Sequence, residues 1–285
     1  MVLSTPHFDA RHAHCGRDYA KLMCALYFTG HGPPNPGAFL SLFQLDELCS
    51  ELDQTCFIIA DKVEEYNGKL MAFRSLRRKG PQGVLTLSDA RILPPSPLTW
   101  ENFNTKTWKI DKRTVRLEYA RLMVVGAFFS GALEFNTTRK QDILLIGLGG
   151  GIINNYFTTL PNHTIAVTVV DIDPVMKRIA EKWYDFHESA NHQIVIEDGV
   201  RFVRDAAKKG VKYDAILLDV CYNVPRSMMC PIDEFLSDDM LFCSAKEKNS
   251  WLDNRDELYN RYIAVDAALG FQLTLRKKFI PNDLL

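Results

Sequence analysis

The sequence predicts an α/β protein, with an open parallel sheet alternating with helices behind a small antiparallel β region. Three observations carry this. Residues 142–173, DILLIGLGGGIINNYFTTLPNHTIAVTVVDID, read as strand, glycine turn, helix, strand and acid. The strands there are apolar on every residue, as a parallel strand buried on both faces requires. Two further strand patterns follow, IVIE before Asp198-Gly199 and YDAILLDV over 213–220, each ending on a carboxylate and separated by helical spacing.

The first fifty residues contain little chemistry. His12, His14 and Cys15 lie close together, but no second ligand pair follows at zinc-like spacing, so no metal site is expected. Asp18 to Phe28 has helical spacing, HGPPNPG at 31–37 breaks regular structure, and Phe39 to Leu52 reads as another amphipathic helix. Residues 1–54 are thus a helical N-terminal segment. Alternating and β-branched runs then fill 55–98, with Asn67-Gly68 as a hairpin signal, and predict a small antiparallel sheet. The run RSLRRKG at 74–80 reads as a solvated loop, with contact to an acidic or polypeptide acceptor as its functional alternative. PPSP at 94–97 is a stiff linker into the α/β domain, taken as 99–285. Arg116 to Leu133 is a helix whose broad apolar face, with Gly126, Ala127, Gly131 and Ala132, permits close packing.

Gly147, Gly149, Gly150 and Gly151 let the turn after the first parallel strand adopt positive φ and bring backbone close to a ligand. The dinucleotide pattern GxGxxG is broken, since its third glycine would fall at Ile152. GLGGG suits a nucleoside ligand without a pyrophosphate, of which S-adenosylmethionine is the obvious case. A tight βα turn with no ligand is the alternative for the glycines alone. Asp171 and Asp173, Asp198-Gly199 and Asp219 end three successive strands where an open parallel sheet places its ligand. Each acid taken singly fits a helix N-cap or turn. Three after a glycine turn favour one adenosine-sized site.

The motifs GLGGG, VVDIDP, EDG and YDAILLDV resemble the class I S-adenosylmethionine-dependent methyltransferases, in their spermidine-synthase-like branch. The flanks FRSLRRKGPQGVLTLSDARIL, IDKRTVRLEYARLMVVGAFFSGAL and MMCPIDEFL are most similar to the C-terminal half of the dual methyltransferases of elongation factor one-alpha, the methyltransferase-like thirteen family. The resemblance covers roughly residues 56–243. It implies a Rossmann-like methyltransferase sheet, S-adenosylmethionine as cofactor, and a protein substrate such as elongation factor one-alpha, methylated on its N-terminal or a lysine amine. Gly147, Gly149, Gly150, Gly151, Asp171, Asp173, Asp198 and Gly199 are then the cofactor residues. The resemblance also places the N-terminal β structure beside the cleft, where it helps define the acceptor site, and Glu118 and Tyr119 near the cofactor.

Methyl transfer from a sulfonium is an in-line displacement promoted mainly by alignment, and an amine acceptor must arrive unprotonated. Asp219 is the expected catalytic carboxylate, placed to orient the amine or take its proton; holding the loop after the strand is its structural alternative. Aminopropyl transfer to a polyamine is a second reaction. Spermidine synthases carry a second acid shortly after this one, whereas Cys221, Tyr222, Asn223 and Val224 offer none here. A third reading is a non-catalytic paralogue serving as a binding module. PIDEFLSDD is followed at once by MLFC, so the strand and helices that the family places between such segments are missing near 239–240, and the sheet is expected to be incomplete on that side. Asp253 to Leu269 reads as a helix and Phe271 to Leu275 as a strand or its continuation.

Composition limits the partners. A net charge of −1 and a pI near 6.7 argue against a general nucleic-acid or membrane binder. No apolar run reaches the length of a membrane span and no signal peptide is evident, so a cytoplasmic protein is expected. Seven cysteines, an odd number with no CxxC pair, are expected as reduced thiols.

Overall fold

The computed structural model describes residues 2–4, 41–66, 69–80, 83–99, 102–222, 226–237, 240 and 255–275. His12, His14, Cys15 and the helix expected over 18–28 lie outside them. A three-residue strand, β1 (Val2–Ser4), comes first and is used only at the far end of the fold. An antiparallel sheet follows, with β2 (Ser41–Cys49), β3 (Cys56–Tyr66), β4 (Lys69–Gly80), β5 (Gly83–Leu93) and β6 (Lys109–Val115) in sequential order. The β3–β4 ladder closes on Tyr66 opposite Lys69, around the Asn-Gly signal.

Several expectations are corrected here. Residues 41–49 form a strand, not a helix. The register of β2 slips between Gln44 and Asp46, so Leu45 is a bulge residue. A bulge inserts one residue into the period of two, and Leu45 and Leu48 therefore both pack on the core at a spacing of three that imitates a helix. RSLRRKG is the body of β4, not a loop. The sheet reaches beyond the PPSP segment, because β6 returns to pair with β5 and the antiparallel region runs from 41 to 115 rather than from 55 to 98.

The inner face of this sheet contributes Ile59, Leu76, Ala90 and Val115 to the main core, against α1 (Glu118–Phe129) and the second sheet. Arg74 joins the layers. Its Nε and Nη2 donate to Asp61 Oδ1 and Oδ2 at 2.8 and 2.9 Å, Nη2 donates to Thr105 O at 2.8 Å, and Nη1 reaches Trp183 O at 3.0 Å. Both charges are buried, a placement tolerated only when the pair is bidentate and the remaining donors are satisfied.

The second sheet is built by β7 (Lys140–Ile146), α2 (Ile152–Phe157), β8 (Thr164–Asp171), α3 (Pro174–Trp183), β9 (His192–Ile196), α4 (Gly199–Lys208) and β10 (Ala215–Leu218), in the order β1-β10-β7-β8-β9. The strands from β7 to β10 are parallel. Their register explains why they are apolar throughout. Leu217, Leu145, Val169 and Ile194 form one row facing the main core, and Leu218, Ile146, Val170 and Val195 form the next row facing α4, Phe235 and Met240.

Beyond β10 lies β1, antiparallel, with Val2 opposite Leu217 and Ser4 opposite Ala215. Among the described residues no parallel strand follows β10. Met240 lies buried in a turn; the rest of MLFC, 241–243, falls outside the described residues. The C-terminal part supplies α5 (Arg255–Leu269), which packs on α1 through Tyr262 and Phe129. The strand expected over 271–275 is instead a short 3-10 turn, anchored by Asp266, which accepts the N–H groups of Leu273 and Thr274.

Four cysteines depart from the reduced state expected: Cys49 is joined to Cys56 and Cys221 to Cys230. Strand register brings the first pair face to face, which sequence spacing does not reveal. No described helix is long and apolar enough to cross a membrane.

Candidate active site

Chain order reverses between β7 and β10, and such a switch point opens a crevice at the carboxyl ends of the strands. The glycine turn leaves β7 on one side and Asp219 leaves β10 on the other. They touch: Gly147 has φ 94°, and a methyl group there would overlap the carbonyl oxygen of Asp219. Only glycine permits both the backbone angle and this approach.

The turn is held largely by protein. Gly147 N–H donates to Val170 O and Leu148 N–H to Asp171 Oδ2, both at 2.8 Å, and Gly151 N–H donates to Leu148 O. Gly150 N–H donates at 2.8 Å to Ser88 Oγ, from β5, while the Tyr184 ring packs so closely beneath Gly150 that a Cβ would come within 2.9 Å of it. Among the described residues, the Gly149 N–H is left without a protein acceptor. The turn therefore offers a shaped surface more than a phosphate cradle, as a nucleoside ligand needs.

The acids divide into different roles. Asp171 accepts Leu148 N–H on one oxygen and Asp173 N–H on the other, at 2.8 and 2.9 Å, and each oxygen keeps a further lone pair. Asp173 caps α3 through Val175 N–H, and Asp198 caps α4 through Arg201 N–H. Gly199 is required by packing, since a Cβ would lie 2.6 Å from Ile146 and 3.2 Å from Phe235. A surface groove runs from Asp198 along Val200, Arg201 and Arg204 to Glu234.

Electrostatics single out two carboxylates. Burial pushes Asp171 up to about 6, against the pull of the Asp173 and Leu148 N–H groups. Burial likewise pushes Asp219 up to about 6, with the Tyr119 hydroxyl pulling it down and nearby Asp171 adding repulsion. Tyr119, on the first turn of α1, lies 3.4 Å from Asp219 Oδ2 and 3.2 Å from Leu87 O. A base poised near neutrality, beside a cofactor-sized turn, can take a proton from an ammonium.

Sequence reasoning missed Ser88, Tyr184, Ile172 and Ile196. Nothing local marks Ser88 or Tyr184, because their partner is the distant glycine turn. Ile172 is 56% exposed and Ile196 38%, at neighbouring strand tips where Asp171 pairs with Ile196. An apolar residue between two acids at a strand end was the available signal. Among the described residues, Glu47, Cys49 and Cys56 are close enough to share a metal ion, but the two sulfurs are bonded to each other.

The order β9-β8-β7-β10, with a glycine turn and acidic strand tips at its switch point, is a doubly wound, Rossmann-like arrangement. No family model matches the chain. It is similar to the eEF1A lysine and N-terminal methyltransferase homolog of Drosophila pseudoobscura pseudoobscura, 33% identical over 137 residues, which make up 47% of this chain and 20% of that protein. The polyamine aminopropyltransferase of Vibrio vulnificus is 35% identical over 109 residues, 38% of this chain and 33% of that protein. Among solved structures, human methyltransferase-like protein 13 in complex with SAH is 23% identical with a TM-score of 0.39, over 51% of this chain and 71% of that one. The chain spans about a fifth of the length of the fly protein it matches. Its similarity is thus to one part of the eEF1A lysine and N-terminal methyltransferases.

Proposed function

We propose that the chain is an S-adenosylmethionine-dependent methyltransferase acting on an amine of a protein, with the relatives' namesake, elongation factor one-alpha, as the first acceptor to test. The observation that supports it best is the contact of Gly147 with Asp219, which puts the cofactor turn and a raised-pKa carboxylate at one switch point. The residues present fit the cofactor. In this reading Gly147 to Gly151 face it, Asp171 takes the ribose hydroxyls, and Asp198 borders the adenine with Ile172 and Ile196 as apolar walls. Asp173 and Gly199 shape the site as cap and packing residue. When bound, the cofactor supplies an electrophilic methyl group on a sulfonium. Asp219 orients the acceptor nitrogen and takes its proton. Calorimetric titration with S-adenosylmethionine tests the binding half. Radiolabelled methyl transfer into elongation factor one-alpha, lost in Gly149→Arg, tests the rest. A cytoplasmic location is part of this proposal, and the oxidation state of the four paired cysteines in cells checks it.

A second reading is favoured by one observation: among the described residues the parallel strands end at β10, with three residues of β1 beyond it. An acceptor site open on that side loses alignment and the low-dielectric surroundings that strengthen electrostatic catalysis. Cofactor binding without transfer would identify a binding module.

A further inference from the structure

We propose that Tyr119 is a positioning residue for Asp219, its hydroxyl turning between Leu87 of the antiparallel sheet and the Asp219 carboxylate as that carboxylate gains or loses a proton. This rests on Asp219 as the acceptor-side base. The Tyr119 oxygen lies 3.2 Å from Leu87 O and 3.4 Å from Asp219 Oδ2, so both are within reach of one phenolic proton. A carbonyl can only accept, and a carboxylate only donates when protonated.

The two protonation states therefore sort the hydrogens differently. With Asp219 protonated, its O–H donates to the Tyr119 oxygen and Tyr119 donates to Leu87 O. With Asp219 ionised, the phenolic proton serves the carboxylate and Leu87 O is released. Rotation about the C–O bond of one phenol accomplishes the change. A proton delivered by an amine is thus met by an acceptor that holds the new acid in one orientation. Leu87 precedes Ser88, which holds Gly150, so a single stretch of β5 sets both the cofactor turn and the acceptor carboxylate.

Hydrogen bonds to an ionised group are roughly twice as strong as neutral ones, so the hydroxyl favours the ionised state of Asp219 on balance. Among the described residues, the other charged group facing Asp219 is Asp171 at the end of β8. It does not change when Tyr119 is altered.

The test is a carbon-13 NMR titration of aspartate carboxyls in the full chain, with the Asp219 resonance assigned by its absence in Asp219→Asn. In Tyr119→Phe the midpoint should rise by about one pH unit or somewhat less. A ring-fluorinated tyrosine at 119, a stronger donor, should lower it. Unchanged midpoints, or two shifts of the same sign, overturn the proposal. The readout needs no turnover. Opposite shifts in a chain that transfers no methyl group leave the relay standing and remove the methyltransferase reading; transfer with immobile midpoints does the reverse.

Discussion

Asp219→Asn should make the protein more stable at neutral pH while removing methyl transfer. The carboxyl moves from an ordinary 3.8 up to about 6 on folding, chiefly by burial. Between those values the folded chain keeps a proton that the unfolded chain has released, so stability falls as pH rises through the interval and the full penalty is present above about pH 6. At 1.36 kcal/mol per pH unit the ceiling is about 3 kcal/mol. The side chain keeps partial exposure to solvent, which lowers the expected gain to about 1–2 kcal/mol. Asparagine has the same shape and no charge, and it can still meet the Tyr119 hydroxyl. Urea unfolding of both proteins at about pH 7.5 and about pH 4 measures this. The Asp219→Asn variant should be the more stable at the higher pH, with the gap closing at the lower. A wild type at least as stable as the variant at about pH 7.5 would refute the assignment of Asp219 as a destabilising, functionally retained carboxylate.

Asp171→Ala removes the acceptor for two backbone N–H groups and, in the proposed reading, for the ribose, and should weaken S-adenosylmethionine binding by about tenfold to a hundredfold in calorimetry; unaltered affinity would sink its role. Gly147→Ala combines a positive φ with overlap on Asp219, and should cost about 2–4 kcal/mol in denaturant melts, against about 1–2 kcal/mol for Gly210→Ser, which shares the positive φ but whose Cβ meets nothing. Decarboxylated S-adenosylmethionine and putrescine should yield no spermidine, and a detectable product would reverse the ranking of the two reactions. Backbone amides of β10 should exchange with deuterium sooner than those of β7, because three residues of β1 guard the outer edge; equal protection would show that edge to be properly closed.

The parts legible in the sequence are those whose signal is local. The β7 and β8 runs, the glycine turn and the acids at 171, 198 and 219 each declare themselves within a few residues. The Asp198 and Asp173 caps are visible as alternatives for the same reason. What escapes depends on distant partners. A bulge at Leu45 changes the apparent period of β2. Arg74 looks solvated in the sequence because its counter-ion, Asp61, lies on another strand and its carbonyl acceptors at 105 and 183 are farther still. The Cys49–Cys56 pair follows from strand register, and Ser88 gains its role only when the two sheets meet.

Arg74 also determines how the molecule can move. Its guanidinium holds Asp61 and Thr105 within its own layer and reaches across to the end of α3, so pulling the antiparallel sheet away from the α/β layer would break its bond to Trp183 O and its stacking over the Trp183 ring. Such a joint resists hinge opening. The two layers should therefore melt as one calorimetric unit, and ligands should enter through the rim of the cleft rather than by parting its walls.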